Sequence, residues 1–353
     1  MNKEKIANRL EQLSGRIAMF ADGFIDEQWS LVDSRLSYDK VNLIGKMTRF
    51  ADRINAVGTG GMGIELIKKR MVFGGFTANI GFAAASLGIE TVMAGLFGEG
   101  DLDPVFEPIY KIAEMITLGK PSITHAFEFD DGKILLTDME AVLGMRWDWI
   151  ADTLGMEKIV KILTDADIVG VGYWSLMPAF DEIVSELCAA MPQDGKKRRF
   201  FFDLADVSRR DRDSLAHTMT GLSYLNGEHP MTLSVNEHEG AVLFDIYGED
   251  FSKHEKAESV RKKAGLDELV IHTPHFASAA SAADGFAMIP QEYVEKPVRT
   301  AGAGDTFNGG YIAATLAGLD IQERLHTANS AVSFFLNNGR APSRKELMER
   351  INS

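Results

Sequence analysis

Gly302, Ala303, Gly304 and Asp305 are the residues of this chain best spaced to do chemistry. They lie in the run Thr-Ala-Gly-Ala-Gly-Asp-Thr-Phe-Asn-Gly-Gly over 300–310. The stretch 293–298 before it reads as extended, and the apolar segment 311–317, closed by Gly318, reads as a helix. Glycines without a Cβ let backbone N–H groups approach a ligand closely. At a helix start those donors are unpaired, and the helix dipole adds to them, so the run can hold an anion. Asp305 is the odd member, because a carboxylate repels a bound phosphate. Its presence makes sense as a general base that takes the proton of a hydroxyl while the amides hold a phosphoryl group in transfer. On these four residues alone, a simple turn with Asp305 as N-cap fits equally well.

Other candidates fall where a parallel sheet would deliver them. An apolar run over 16–21 ends at Asp22, with Asp26 four residues on. Gly74 and Gly75 precede a helix beginning near Asn79, whose amide can both donate to and accept from a sugar hydroxyl. Asp22 reads either as a ligand or as the cap of its turn. Asn236 and Glu239 follow a strand-like run; a Glu and an Asn amide suit Mg²⁺ held through water, and a solvated helix start is the plainer alternative. Thr273 follows another such run.

Several features carry less. Gly58-Thr59-Gly60-Gly61-Met62-Gly63 has the glycine spacing of a dinucleotide fingerprint but lacks its acidic partner about 20 residues on. It reads as a loop in a lid segment. His272 and His275 have no further ligand nearby, so zinc is not expected. Trp29, Trp147 and Trp149 read as packing residues, with stacking on a sugar as the sharper alternative. Cys188, in an apolar helical setting, reads as a buried structural thiol.

Strand-like runs over 16–21, 91–96, 168–171, 200–202, 233–235 and 269–271 alternate with helical runs over 79–87, 180–191 and 255–264. Such alternation predicts a mainly parallel sheet covered by helices, with ligands bound beyond the carboxyl ends of the strands. Two stretches break the pattern. The segment 53–73 reads as extended runs around glycines, and 122–136 reads as a hairpin turning at Asp130-Asp131-Gly132. With 353 residues, a single α/β domain carrying insertions near 35–73 and 120–140 fits. The formal charge of −14 argues against nucleic acid and anionic membranes as partners. No apolar run reaches the ~18 residues of a spanning helix, and the charged N-terminus is not a signal peptide, so a cytoplasmic location is expected.

The run at 302–305, with Phe307 and Gly309, resembles the second signature of the ribokinase family (the PfkB carbohydrate kinases), usually Asp-Thr-x-Gly-Ala-Gly-Asp. Gly74, Gly75 and Asn79 resemble its first signature, and Asn236 to Glu239 its Asn-x-x-Glu element. The resemblance covers most of the chain, from about residue 16 to residue 342. It implies a three-layer α/β sandwich with a small β lid, and ATP- and Mg²⁺-dependent phosphorylation of a sugar hydroxyl. It implies Asp305 as base, the 302–304 backbone as anion hole, and Asp26 and Asn79 as sugar ligands. Thr273 and Asn329 would lie on the nucleotide side, and dimerisation through the lid would be common. The chain departs from the pattern twice. Thr273-Pro274-His275-Phe276 lacks the glycines of the family's nucleotide-facing turn, and Arg299 stands where the family has its first Asp. Arg299 implies activity without potassium, since that Asp helps organise a monovalent cation. The altered turn leaves a second reading open, a sugar-binding or regulatory protein with impaired ATP use.

Overall fold

A computed structural model describes residues 2–352. Its larger sheet has nine strands: β1 (Arg16–Ala21), β5 (Glu90–Gly95), β6 (Glu114–Thr117), β9 (Ile168–Gly172), β10 (Arg199–Asp203), β11 (Met231–Asn236), β12 (Glu268–His272), β13 (Phe276–Ser281) and β14 (Gly285–Pro290). Their order is β14-β13-β12-β11-β10-β9-β1-β5-β6. All neighbours are parallel except β12–β13 and β13–β14, which fold back as antiparallel hairpins.

The three layers follow from side-chain alternation along strands that are apolar on both faces. In β1, Ala18 and Phe20 join one core while Ile17 and Met19 join the other. In β10, Phe200 and Phe202 point to the first core and Phe201 to the second. Helices over 147–189 and 212–263 cover the first face. Lys3–Glu11, Phe76–Ser86, Ala303–Leu316, Ile321–Asn338 and Arg344–Asn352 cover the second. Each fully buried phenylalanine contributes on the order of 1.5–3 kcal/mol.

A smaller sheet is built from β2 (Phe24–Arg35), β3 (Val41–Leu43), β4 (Leu66–Gly74), β7 (Ser122–Phe129) and β8 (Gly132–Asp138). β2 is its shared strand, antiparallel to β4 and β3 and parallel to β7. β7 and β8 form the hairpin expected at 130–132. This sheet begins at Phe24, earlier than the insertion read near residue 35, because only Asp22 and Gly23 separate β1 from β2.

Three local expectations need correction. Residues 53–57 belong to a helix, Met47–Val57, whose apolar spacing outweighs the nearby glycines. Residues 293–298 form no strand, since β14 is the outer strand of its sheet and ends at Pro290. The signature run is itself the first turn of Ala303–Leu316, so the helix starts earlier than residue 311. At 58–63 the chain passes from a helix to β4, the reverse of the strand-to-helix context a dinucleotide fingerprint requires.

Candidate active site

β1 is the strand at which the chain order reverses, flanked by β5 on one side and β9 on the other. A crevice opens beyond the carboxyl ends of strands at such a switch point. The ends of β1, β9, β10, β11 and β12 deliver Asp22, Tyr173, Asp203, Asn236 and His272–Thr273 toward it.

The Gly74–Gly75 pair is explained by two carboxylates. A Cβ on Gly75 would lie 2.6 Å from Asp22 Oδ2, and its φ of +93° is one a side chain rarely adopts. A Cβ on Gly74 would crowd the Asp26 carboxyl at 3.0–3.3 Å. Asp22 is fully buried and accepts from the amides of Phe76 (2.7 Å) and Thr77 (2.8 Å). It therefore caps the helix Phe76–Ser86 rather than its own turn, and both of its oxygens are engaged. Asp26, on β2, faces Thr124 of β7 and lies within the field of Arg299 and Lys133.

Asp305 sits buried in the first turn of its helix. Asn79 Nδ2 donates to one oxygen at 2.9 Å, and Tyr173 Oη donates to the other at 3.0 Å. Burial, then the nearby charge of Asp203, pushes its carboxyl up to about 7, while the two donors pull it down. Gly302, the residue before the helix, adopts a left-handed conformation with φ +89° and provides no side-chain cap. Ala303 N–H is spent on the Thr300 carbonyl at 3.1 Å, whereas among the described residues the amides of Gly304 and Asp305 donate to no backbone carbonyl. Thus the free donors are those of Gly304 and Asp305, one residue further along than 302–304 would suggest. His272 packs against Gly304, leaving 3.1 Å for a Cβ there.

Tyr173 and Ser234 are site residues outside every motif, and Asn308 lies within the 300–310 run without having been singled out. Asn308 donates to Asp203 at 3.1 Å and accepts from Ser234 Oγ at 2.6 Å, which fixes the Asp203 carboxylate. Their contacts become visible only when the strand ends meet the signature helix. Sequence patterning offers no signal for Tyr173 or Ser234 beyond position in or near a strand, whereas Asn308 could have been found from its place in the signature run.

Asn236 and Glu239 form a reciprocal capping box on the helix Glu237–Ile246. Burial and the charge of Asp203 raise the proton affinity of Glu239, and Asp206 and Asp305 add to it. Asp203 is raised in the same way, chiefly by burial. This clustering of buried carboxylates is a site short of positive charge. Among the described residues no group of three such side chains is placed to ligate a metal directly. The donors fit a Mg²⁺ ion that keeps its waters and is shared with phosphate oxygens.

Beside the signature helix lies a cleft of about 830 Å³, walled by Asn236, His238, Phe251, Pro274 and Tyr293 and reaching Gly304. Its volume suits a nucleotide. Thr273 and Phe276 close a tight turn between β12 and β13, with Thr273 N–H bonded to the Phe276 carbonyl at 2.9 Å. His275 stacks on Tyr293 of the cleft wall. The turn without glycine therefore borders the cleft without filling it. Asn329 does not line this cleft: it donates to the Pro290 carbonyl and faces a separate depression beside His326 and Ser333. Of the remaining candidates, Trp149 bonds the Leu118 carbonyl, Trp29 lies under Lys68, and burial pushes the Cys188 thiol up to about 12. His272 is half-buried, with its ring lowered to about 4 by loss of solvent, which suits packing against Phe307.

The model of the prokaryotic ketohexokinase family matches residues 2–353. A ketohexokinase of Haloferax volcanii is 27% identical over 355 residues, spanning 98% of this chain and 92% of that protein. Among solved structures, an Arabidopsis thaliana ribokinase complexed with ribose and ATP superposes with a TM-score of 0.67. It covers 97% of this chain and all of that one at 16% identity. Phosphofructokinase-2 of Escherichia coli, in complex with substrates and products, gives 0.64 over 96% of this chain and 98% of its own at 13% identity. At such identities these two likenesses establish the fold, and the family match over nearly the whole chain establishes kinship. The chain belongs to the prokaryotic ketohexokinase family, carbohydrate kinases built on the ribokinase fold.

Proposed function

We propose that this protein is an ATP-dependent ketohexokinase that uses Asp305 as its general base. The observation carrying this reading is the placement of Asp305. It is a buried carboxylate of raised proton affinity beside two free helix-start amides, next to Gly304 of the nucleotide-sized cleft and sharing the field of Arg299 with Asp26. A binding protein gains nothing from that juxtaposition.

In the reaction Asp305 accepts the proton of a sugar hydroxyl. The oxygen attacks the γ-phosphorus of ATP, and the bond to the β-phosphate oxygen breaks toward ADP. The Gly304 and Asp305 amides meet the charge on the transferring group, with the helix dipole behind them. Asp26 and Asn79 hold the acceptor, and Asn79 and Tyr173 also fix the plane of the base. Mg²⁺, when bound through water near Glu239 and Asp203, supplies positive charge to the phosphates. The smaller sheet acts as the lid that keeps water from competing as acceptor. Leu36, Tyr38, Leu135 and Leu136 are exposed in and beside it, which suits pairing with a second copy of the chain. The ketohexose assignment comes from the family and the Haloferax volcanii relative.

Asp305→Asn tests the reading. ADP release with ketohexoses as acceptors should fall about 10²–10⁴-fold in the variant. Sugar binding, followed by calorimetry, should persist. Unchanged turnover would remove Asp305 from the mechanism; a wild type that binds sugar without releasing ADP would favour the regulatory reading.

A further inference from the structure

The departure at position 299 lands in the reaction centre. A side chain built on Gly302 would come within 4.0 Å of Arg299 Nη2, so the guanidinium leans over the first turn of the signature helix. It lies 5.7 Å from the Phe335 ring, a flat apolar floor that orients it without using its donors. Its charge reaches Asp26, Asp305 and Glu128, which places it between the smaller sheet, the base and the free amides. It forms no hydrogen bond to any of these carboxylates, and its Nε is buried with no partner among the described residues. Arg70 of β4, itself tied to Gln28, brings a second guanidinium close enough to repel it.

A buried donor left unpaired and a like-charge pair both cost free energy. An anion with several oxygens would relieve both costs at once. A ketohexose brings no charge to this point, whereas a phosphoryl group passing from ATP to the acceptor does.

We propose that Arg299 is a further catalytic residue, donating to oxygens of the phosphoryl group during its transfer. This rests on the kinase reading of Asp305. The acceptor proton goes to Asp305, the new bond joins sugar oxygen to phosphorus, and the electron pair of the broken bond leaves with ADP. Arg299 stays protonated throughout and contributes charge and orientation, as an arginine supplied within the chain does in other phosphoryl transfers. Its neighbours Asp26 and Glu128 belong to the smaller sheet, so closing that sheet and completing the phosphoryl site are one event.

The test compares wild type with Arg299→Gln and Arg299→Lys, by calorimetry with Mg·ATP and Mg·ADP and by steady-state kinetics with a ketohexose. Melting temperatures check folding, and the Lys variant keeps the charge if Gln disturbs it. The expected result is about tenfold or more weaker ATP binding in Arg299→Gln with ADP affinity nearly unchanged. Turnover should drop by about 10²–10³-fold at nearly constant acceptor KM, and Lys should restore part of it. Equal weakening of ATP and ADP, no change in either, or a raised acceptor KM at constant kcat would overturn the proposal. A wild type that binds ATP but phosphorylates no ketohexose sinks the acceptor assignment alone, and the contrast between ATP and ADP still decides the role of Arg299. A wild type that binds no ATP overturns both.

Discussion

In the proposed mechanism Asp305 takes a proton only while ionised, and its surroundings decide the pH at which that holds. Burial beside Asp203 raises its carboxyl to about 7, so below neutrality it is protonated and cannot take the hydroxyl proton. Turnover per bound sugar should therefore rise with pH along an acid limb centred near 7, about tenfold per unit below it. A limb centred near pH 4 would mean that the base is better solvated than its burial implies. Tyr173 matters at the same scale. Its hydroxyl fixes one oxygen of the base, and Tyr173→Phe should lower kcat by about tenfold while leaving the fold intact. An unchanged kcat would reduce Tyr173 to packing.

At the scale of elements, the helix Phe76–Ser86 is tied to the end of β1 by the Asp22 carboxylate and by the Thr77 hydroxyl, which donates to the Phe20 carbonyl. Asp22 satisfies two amides at that helix start, and Gly75 leaves the room it needs. Gly75→Ala would place a methyl group 2.6 Å from Asp22 Oδ2 in a conformation alanine resists. A loss of about 1–3 kcal/mol in urea denaturation is expected. Activity should fall further than stability, because Asn79 rides on the same turn and orients the base. A variant as stable as wild type would show that the turn can relax without Asp22. The resulting lesson concerns spacing: the Gly-Gly pair is legible in the sequence as a close approach, but what approaches it are two carboxylates, Asp22 just beyond β1 and Asp26 on β2.

For the whole molecule, the acidic site sets the pH dependence of stability. Asp22 and Asp305 are both raised to about 7 in the fold, against ordinary values near 4 once unfolded. Between those values the folded chain binds more protons than the unfolded one. Stability from these groups is therefore full below about pH 4 and is lost as pH rises toward 7. Asp305→Asn removes one such penalty. Its melting temperature relative to wild type should climb from pH 4 to pH 7 and then level off; an offset independent of pH would contradict the burial argument. Assembly is decided at this scale as well. If two copies pair through the smaller sheet, sedimentation at micromolar concentration will give twice the chain mass, and Leu136→Glu will return it to one. A monomeric wild type would leave the exposed leucines without that role.

The sequence by itself determined the alternating α/β order, because apolar runs of strand length between helical periods have few other ways to bury both faces of a sheet. It also picked out the glycine-rich run that begins a helix and Asp305 within it, since two glycines beside an acid are local features. It did not reveal that residues 47–57 are helical, that 293–298 form no strand, or that Asn329 faces a different depression. Nor could it place Tyr173, Asn308 or the free donors of Arg299, whose partners lie far along the chain. Those were decided by tertiary structure alone. Order along a strand follows from local sterics, whereas proton affinity, charge balance and unpaired donors depend on what distant segments bring within a few ångströms.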